Sequence, residues 1–65
     1  MRSRVDGEWS GWAGDTTVKL ENGTVWQQDQ YYYRYKYKYR PRVAVDGNKM
    51  IVEGIDKAVR VRRID

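Results

Sequence analysis

The segment Tyr31–Tyr39, YYYRYKYKY, alternates tyrosines with cations. Tyrosines recur at every second position from Tyr31, and Arg34, Lys36 and Lys38 lie between them. Because successive side chains of a β-strand point to opposite faces, this period of two predicts a strand with one aromatic and one cationic face. A strand needs a partner strand for its backbone groups, so this segment favours a fold built on a β-sheet.

Turn signals elsewhere indicate the same class. Asn22-Gly23 separates two β-rich runs and predicts a hairpin with a type I′ turn, and Asp46-Gly47 predicts a second hairpin. No window shows the apolar spacing of a helix. The predicted fold class is therefore all-β, a small antiparallel barrel of five to six strands, since barrel closure removes exposed sheet edges.

The length and composition limit how such a domain is stabilised. A chain of 65 residues is one domain, with residues 1–4 predicted to be a flexible N-terminus and residues 5–65 the barrel. There is no Cys and no His, which excludes disulfides and a zinc site of the usual kind. Aromatic packing or association must stabilise the fold, and Trp9, Trp12 and Trp26 are predicted to lie in the core or at its rim.

Charge is distributed unevenly along the chain. Residues 1–33 contain three Lys/Arg and five acids, whereas residues 34–65 contain ten Lys/Arg and four acids. The resulting charges of −2 and +6 indicate an anionic partner for the second half. No apolar run is long enough for a membrane span and no signal peptide is recognisable, so a cytoplasmic location without membrane association is expected.

The aromatic and basic residues predict a nucleic-acid-binding face, because cations contact phosphates and aromatic rings stack on bases. Tyr32 is out of phase with the other tyrosines, on the cationic face, and is the best single candidate for an exposed stacking ring. The predicted contact residues are Tyr32, Arg34, Lys36, Lys38, Arg40, Arg42, Arg60, Arg62 and Arg63. The alternative is that the alternating tyrosines form the inner face of the barrel and that the cations are only solvated.

Catalysis has little support in the sequence. Without His or Cys, acid–base chemistry would fall to carboxylates or lysines. Asp6 and Glu8 share a strand face, but a chain of this size cannot enclose a deep cleft for a paired-carboxylate reaction. We therefore expect a protein that is not an enzyme, with no cofactor and no metal site.

Residues 11–28 carry a resemblance to known small barrels. Gly11-Trp12, Gly14-Asp15-Thr16 and the run from Val18 to Trp26 resemble the opening of SH3-like and Sm-like barrels. The Arg-Gly signature of Sm-like RNA-binding proteins and their Asn-containing nucleotide-binding loop are not found here. The segments WQQ at 26–28, YKYRPRV at 37–43 and VRVRRI at 59–64 are similar to an uncharacterised small prokaryotic domain. The resemblance implies an SH3-like barrel.

Three functional hypotheses follow. The first is nucleic-acid binding with little sequence specificity. The second is protein interaction, since SH3-like barrels bind extended segments in aromatic grooves, and here the basic surface indicates an acidic partner. The third is self-assembly into a homo-oligomer, with the tyrosine-rich strand as the seam between subunits.

Overall fold

The computed structural model describes all residues 1–65 and consists of β-strands without a helix, which confirms the all-β class. It therefore has no helix of the length and apolarity that a membrane crossing requires. The eight strands are β1 (Arg2–Arg4), β2 (Glu8–Ala13), β3 (Thr17–Lys19), β4 (Val25–Gln28), β5 (Tyr33–Tyr39), β6 (Arg42–Asp46), β7 (Lys49–Val52) and β8 (Val59–Arg63).

Six of the strands form one antiparallel sheet in the order β1-β6-β7-β8-β4-β3. This sheet curls into a half-barrel, and its two edge strands meet just beyond their ends, where Val5 and Leu20 form an isolated bridge. The amide of Asp6 donates to the carbonyl of Lys19 at 2.8 Å, and the amide of Glu21 donates to the carbonyl of Arg4 at 2.9 Å. This half-barrel, with its edges joined at one end, is consistent with the small barrel predicted from the sequence.

The remaining strands, β2 and β5, form a separate antiparallel ribbon. Trp9 and Trp12 of β2 belong to the same buried cluster as the apolar residues of the six-stranded sheet. Their rings pack edge to face with centroids 4.9 Å apart. The ribbon therefore covers the open side of the half-barrel with two indole rings, and these stabilise a core that has no disulfide.

The core follows from strict alternation in the sheet strands. In β7 and β8, Met50 and Val59 are fully buried and lie opposite each other. Val61 is buried as well, whereas Arg60 and Arg62 point to solvent, as the sequence predicts. Burial of each such apolar side chain contributes about 1.5–3 kcal/mol.

Both predicted hairpins are confirmed, but their turns differ from the predicted ones. In the second, Asp46 pairs with Lys49, so the turn consists of Gly47 and Asn48. β3 pairs with β4 around Asn22-Gly23, yet only Gly23 has a positive φ, so the turn is not type I′. The side-chain Oδ1 of Asn22 instead accepts a hydrogen bond from the Thr24 amide at 3.0 Å. The Thr24 hydroxyl accepts one from Nε1 of Trp26 at 2.9 Å. Asn22 is therefore needed for its side chain rather than for a left-handed backbone.

The N-terminus differs from the flexible segment expected for residues 1–4. Arg2–Arg4 pairs with β6 as an edge strand of the sheet. The terminal ammonium group of Met1 donates to the carbonyl of Val45 at 2.8 Å. These contacts satisfy the backbone of β6, which would otherwise be an unpaired edge.

Candidate nucleic-acid interface

The alternating tyrosines lie on the outside of the ribbon. Their exposed fractions range from 54 % for Tyr37 to 82 % for Tyr31. We call this surface the tyrosine face, and its members are Tyr31, Tyr33, Tyr35, Tyr37 and Tyr39. The structure thus decides between the two alternatives for these rings, and the inner-face alternative is wrong.

The register of the ribbon explains this orientation. In β5, Lys38 lies opposite Trp9 and Arg34 lies opposite Trp12. Side chains of directly opposed residues in an antiparallel pair project from the same face. Because the two indole rings occupy the inner face, the cations share that side and the tyrosines must point outward.

Gly11 allows the two strands to approach each other closely. The register shifts between Trp9 and Gly11, so that β5 uses one residue more than β2 over this stretch. Gly11 has a φ of 104°, and a β-carbon there would lie 2.0 Å from the carbonyl oxygen of Arg34. A glycine is therefore required, and the irregularity keeps both indole rings on the inner side.

Two contacts organise the tyrosine face. The rings of Tyr31 and Tyr33 pack edge to face with centroids 5.0 Å apart. The hydroxyl of Tyr37 donates to a carboxylate oxygen of Glu8 at 3.0 Å, and this hydrogen bond raises the pKa of Tyr37 above its ordinary value. Tyr35 makes no ring–ring contact of this kind and is among the most exposed, so its faces are free for a ligand.

The two lysines of β5 lie on the side opposite to the tyrosine face. Lys36 and Lys38 are half-buried, and the Cε atom of each lies 2.8 Å from the position that a β-carbon on Gly54 would take. Their aliphatic chains therefore pack over Gly54 while the ammonium groups extend toward solvent. The predicted cationic face exists, but part of its surface serves packing.

Arg40 is held by the protein itself. Its guanidinium pairs with both carboxylate oxygens of Glu21, with Nη2 donating to Oε1 at 3.1 Å. The hydrogen bond to Arg40 lowers the pKa of Glu21 below its usual range. Arg40 also has a φ of 49°, unusual outside glycine, and its carbonyl accepts from Nη1 of Arg4 at 2.9 Å. Arg40, one of the predicted contact residues, thus lies at the bend between β5 and β6, and its charge is paired within the protein.

Tyr32 is half-buried instead of exposed. It packs against the hydrophobic core, and Nζ of Lys57 lies 5.8 Å from the centre of its ring. One ring face is therefore used inside the protein, which differs from the exposed stacking role expected for it. The exposed rings are those of the alternating tyrosines.

Gln28 is a positioning residue that the sequence does not reveal. It is buried, and its Nε2 donates to the carbonyls of Gln30 at 2.8 Å and Tyr32 at 2.9 Å. Its Oε1 accepts from the amide of Thr16 at 3.2 Å. These bonds tie the segment before β5 to the sheet and so fix where the tyrosine face begins.

The remaining predicted cations divide into two groups. Arg34 and Arg42 are exposed, and neither has a carboxylate partner within ion-pair distance. The amide of Arg42 donates to Glu53 at 3.1 Å, and this backbone hydrogen bond lowers the pKa of Glu53. Arg34 and Arg42 are therefore available to an anionic ligand.

The cations of β8 form a separate cluster, because β8 pairs with β7 and β4 and not with β5. Arg60 is paired with Asp29 at 3.8 Å. Nη2 of Arg62 donates to Gln27 at 2.8 Å, and Nε of Arg63 donates to the carbonyl of Asp65 at 3.1 Å.

No family model matches this chain, and no match was found among curated proteins or among solved structures.

Proposed function

We propose that this protein binds single-stranded nucleic acid through the tyrosine face, with little sequence specificity. The observation that carries the proposal is the exposure of the alternating tyrosine rings on β5, between 54 % and 79 %, which Tyr31 just before the strand extends. Exposed rings stack on unpaired bases, each worth about 1–3 kcal/mol, and do so with every base type. A duplex conceals its base faces, so the rings favour a single strand.

The cations of β5 supply the second half of the proposed site. Arg34, Lys36 and Lys38 alternate with the tyrosines, and each retains a charge that no carboxylate neutralises within 4.0 Å. A strand whose bases lie on the tyrosine face can bring its phosphates around β5 toward these charges. Three phosphate contacts correspond to a slope of log K against log salt of about −2 for a single strand. The proposal includes the SH3-like assignment of the barrel, which rests on the pattern of residues 11–28.

The experiment is an NMR titration of labelled protein with a single-stranded and a duplex oligonucleotide at several salt concentrations. We expect amide shifts from Tyr31 to Tyr39, with the single strand preferred and affinity falling steeply with salt. The double variant Lys36→Gln and Lys38→Gln removes both charges, keeps the Cβ and Cγ methylenes of each side chain, and should reduce the slope to about −0.7. Lys49→Gln, on the exposed side of β7, is the matched control and should leave the slope unchanged. Absence of shifts at low salt would end the nucleic-acid proposal.

A second candidate is binding of an acidic, extended protein segment. The backbone hydrogen bonds of β5 all go to β2, so the other edge of β5 is open for strand addition. A second copy of the chain is a poorer occupant, because its own cationic strand would place like charges opposite each other. Binding of an acidic peptide that persists at high salt, together with flat oligonucleotide titrations, would favour this candidate.

A further inference from the structure

A groove of about 620 Å³ lies outside the six-stranded sheet, over β1, β6 and β7. Its floor includes Ala44 and Ile51, which lie opposite each other in register. Arg2 lies opposite Ala44 on the next strand and extends the same row. Ile51 is 40 % exposed although it is a large aliphatic residue. A cleft of this size, with an apolar floor and charged side chains along its margins, has the dimensions of a small-molecule site.

The cations along the groove are in no ion pair within 4.0 Å. Arg2, Arg4 and Arg42 line it, and the ion pairs of the chain involve other cations. Gly54, over which the Lys36 and Lys38 chains pack, lines the same groove. Arg4 donates to the carbonyl of Arg40, whereas Arg2 and Arg42 are in no ion pair within 4.0 Å. Guanidinium groups bind phosphate in a bidentate manner, so these two beside an apolar floor favour an anionic ligand with a flat apolar part.

Three carboxylates also line the groove; Glu21 is paired with Arg40, which leaves Glu53 and Asp56. Glu53 lies beside Arg42, and Asp56 follows Gly54. Carboxylates accept hydrogen bonds from hydroxyl and amino groups. A ligand that matches the guanidiniums, the apolar floor and these acceptors carries a phosphate, a flat ring and hydroxyl or amino donors, and a nucleotide has this combination.

We propose that the groove binds one nucleotide of the strand whose other bases stack on the tyrosine face, with the base on Ala44 and Ile51 and the phosphate at Arg2 and Arg42. This inference rests on the proposed function for the identity of the strand. The molecule measures 24 × 22 × 17 Å. Its longest dimension equals about seven stacked nucleotides at 3.4 Å each, so a short strand reaches both surfaces.

The test compares adenosine monophosphate, inorganic phosphate and a single-stranded oligonucleotide of about twelve nucleotides, a length chosen from that rise per nucleotide. Amide shifts are followed at Ala44, Ile51 and Arg42 for the groove and at Tyr35 for the tyrosine face. We expect the mononucleotide to shift the groove alone, with higher affinity than phosphate, and the oligonucleotide to shift both surfaces.

The variant Ile51→Glu places a negative charge on the exposed floor and should lower mononucleotide affinity at least about tenfold, or about 1.4 kcal/mol. Ile64→Glu, a change at another exposed isoleucine, is the matched control and should not alter it. A groove that stays silent with both ligands while Tyr35 responds to the oligonucleotide overturns this inference and leaves the proposed function intact.

The reverse pair of results, a response of the groove without a response of Tyr35, also distinguishes the nucleotide site from strand binding. A groove that binds the mononucleotide, with no response of Tyr35 to the oligonucleotide, supports the nucleotide site and overturns strand binding on the tyrosine face. Equal affinities for phosphate and for the mononucleotide overturn the role of the apolar floor. Silence of both surfaces with every ligand overturns both proposals.

Discussion

Replacing Gly11 by alanine should destabilise the protein far more than the same change at Gly7. Both glycines have a positive φ, 104° at Gly11 and 95° at Gly7. A β-carbon at Gly7 meets nothing within 4 Å, whereas one at Gly11 lies 2.0 Å from the Arg34 carbonyl oxygen and 2.7 Å from the Lys36 amide nitrogen. Ordinary carbon–oxygen contacts are about 3.3–3.6 Å, so β2 and β5 must move apart by more than about 1 Å.

The magnitudes follow from these two situations. The left-handed backbone costs an alanine about 1–2 kcal/mol, partly offset by about 0.4–1 kcal/mol from a less flexible unfolded chain. Gly7→Ala should therefore cost about 1 kcal/mol. Forced displacement in a packed region adds about 1–3 kcal/mol, which gives about 2–4 kcal/mol for Gly11→Ala. For 65 residues, an unfolding entropy of about 0.14 kcal/mol/K converts these costs to Tm decreases of about 7 °C and about 15–30 °C.

The assay is thermal and urea unfolding of both variants, followed by tryptophan fluorescence, since Trp9 and Trp12 lie on either side of Gly11 in β2. Circular dichroism would show whether Gly11→Ala still folds at low temperature, and failure to fold agrees with the larger cost. Equal losses of stability at Gly7 and Gly11 would refute the close approach of the two strands, and with it the explanation for the orientation of the tyrosine face.

Three further outcomes are expected. Met50→Ala removes a fully buried side chain and should cost about 2–5 kcal/mol, measured by urea unfolding; a loss below about 1 kcal/mol would contradict its place in the core. Thr24→Val leaves the indole N–H of Trp26 without its acceptor and should cost about 1–3 kcal/mol in the same assay. Unchanged stability of this variant would contradict a contribution of that hydrogen bond to the fold. Because the pKa of Tyr37 is raised in the folded state, its bond to Glu8 stabilises the fold below the ordinary tyrosine pKa and is lost as pH rises through the folded pKa. Glu8→Gln should move the Tyr37 titration back toward the ordinary value in an ultraviolet pH titration, and an unchanged midpoint would show that the carboxylate is not responsible.

Local patterns predict most of the strands. The period of two identifies β5, and glycines with positive φ stand at both predicted hairpins, Gly23 and Gly47. These signals depend on neighbouring residues alone, which is why the sequence reveals them. The prediction of a type I′ turn at Asn22-Gly23 was wrong, because the side chain of Asn22 accepts a hydrogen bond from the Thr24 amide and makes a left-handed conformation at Asn22 unnecessary.

Contacts between residues distant in sequence determine the features that local patterns do not predict, such as which face of β5 meets the core. Alternation defines two faces of β5 but does not say which one meets the core. That choice follows from Trp9 and Trp12, which are distant in sequence and fill the inner side through an irregular register at Gly11. The burial of Gln28 and the ion pair of Arg40 likewise depend on neighbours that only the folded chain brings together.

The most direct test of the central claim is the affinity of Tyr35→Ala for a single-stranded oligonucleotide at fixed salt, with Ile64→Ala as control. Both residues are exposed, Tyr35 by 79 % and Ile64 by 48 %, so neither change should alter the fold. If the tyrosine face stacks on bases, Tyr35→Ala should lose about 1–3 kcal/mol of binding free energy, whereas Ile64→Ala should bind like the unchanged protein. Equal affinities of Tyr35→Ala and the unchanged protein would contradict base stacking on this face.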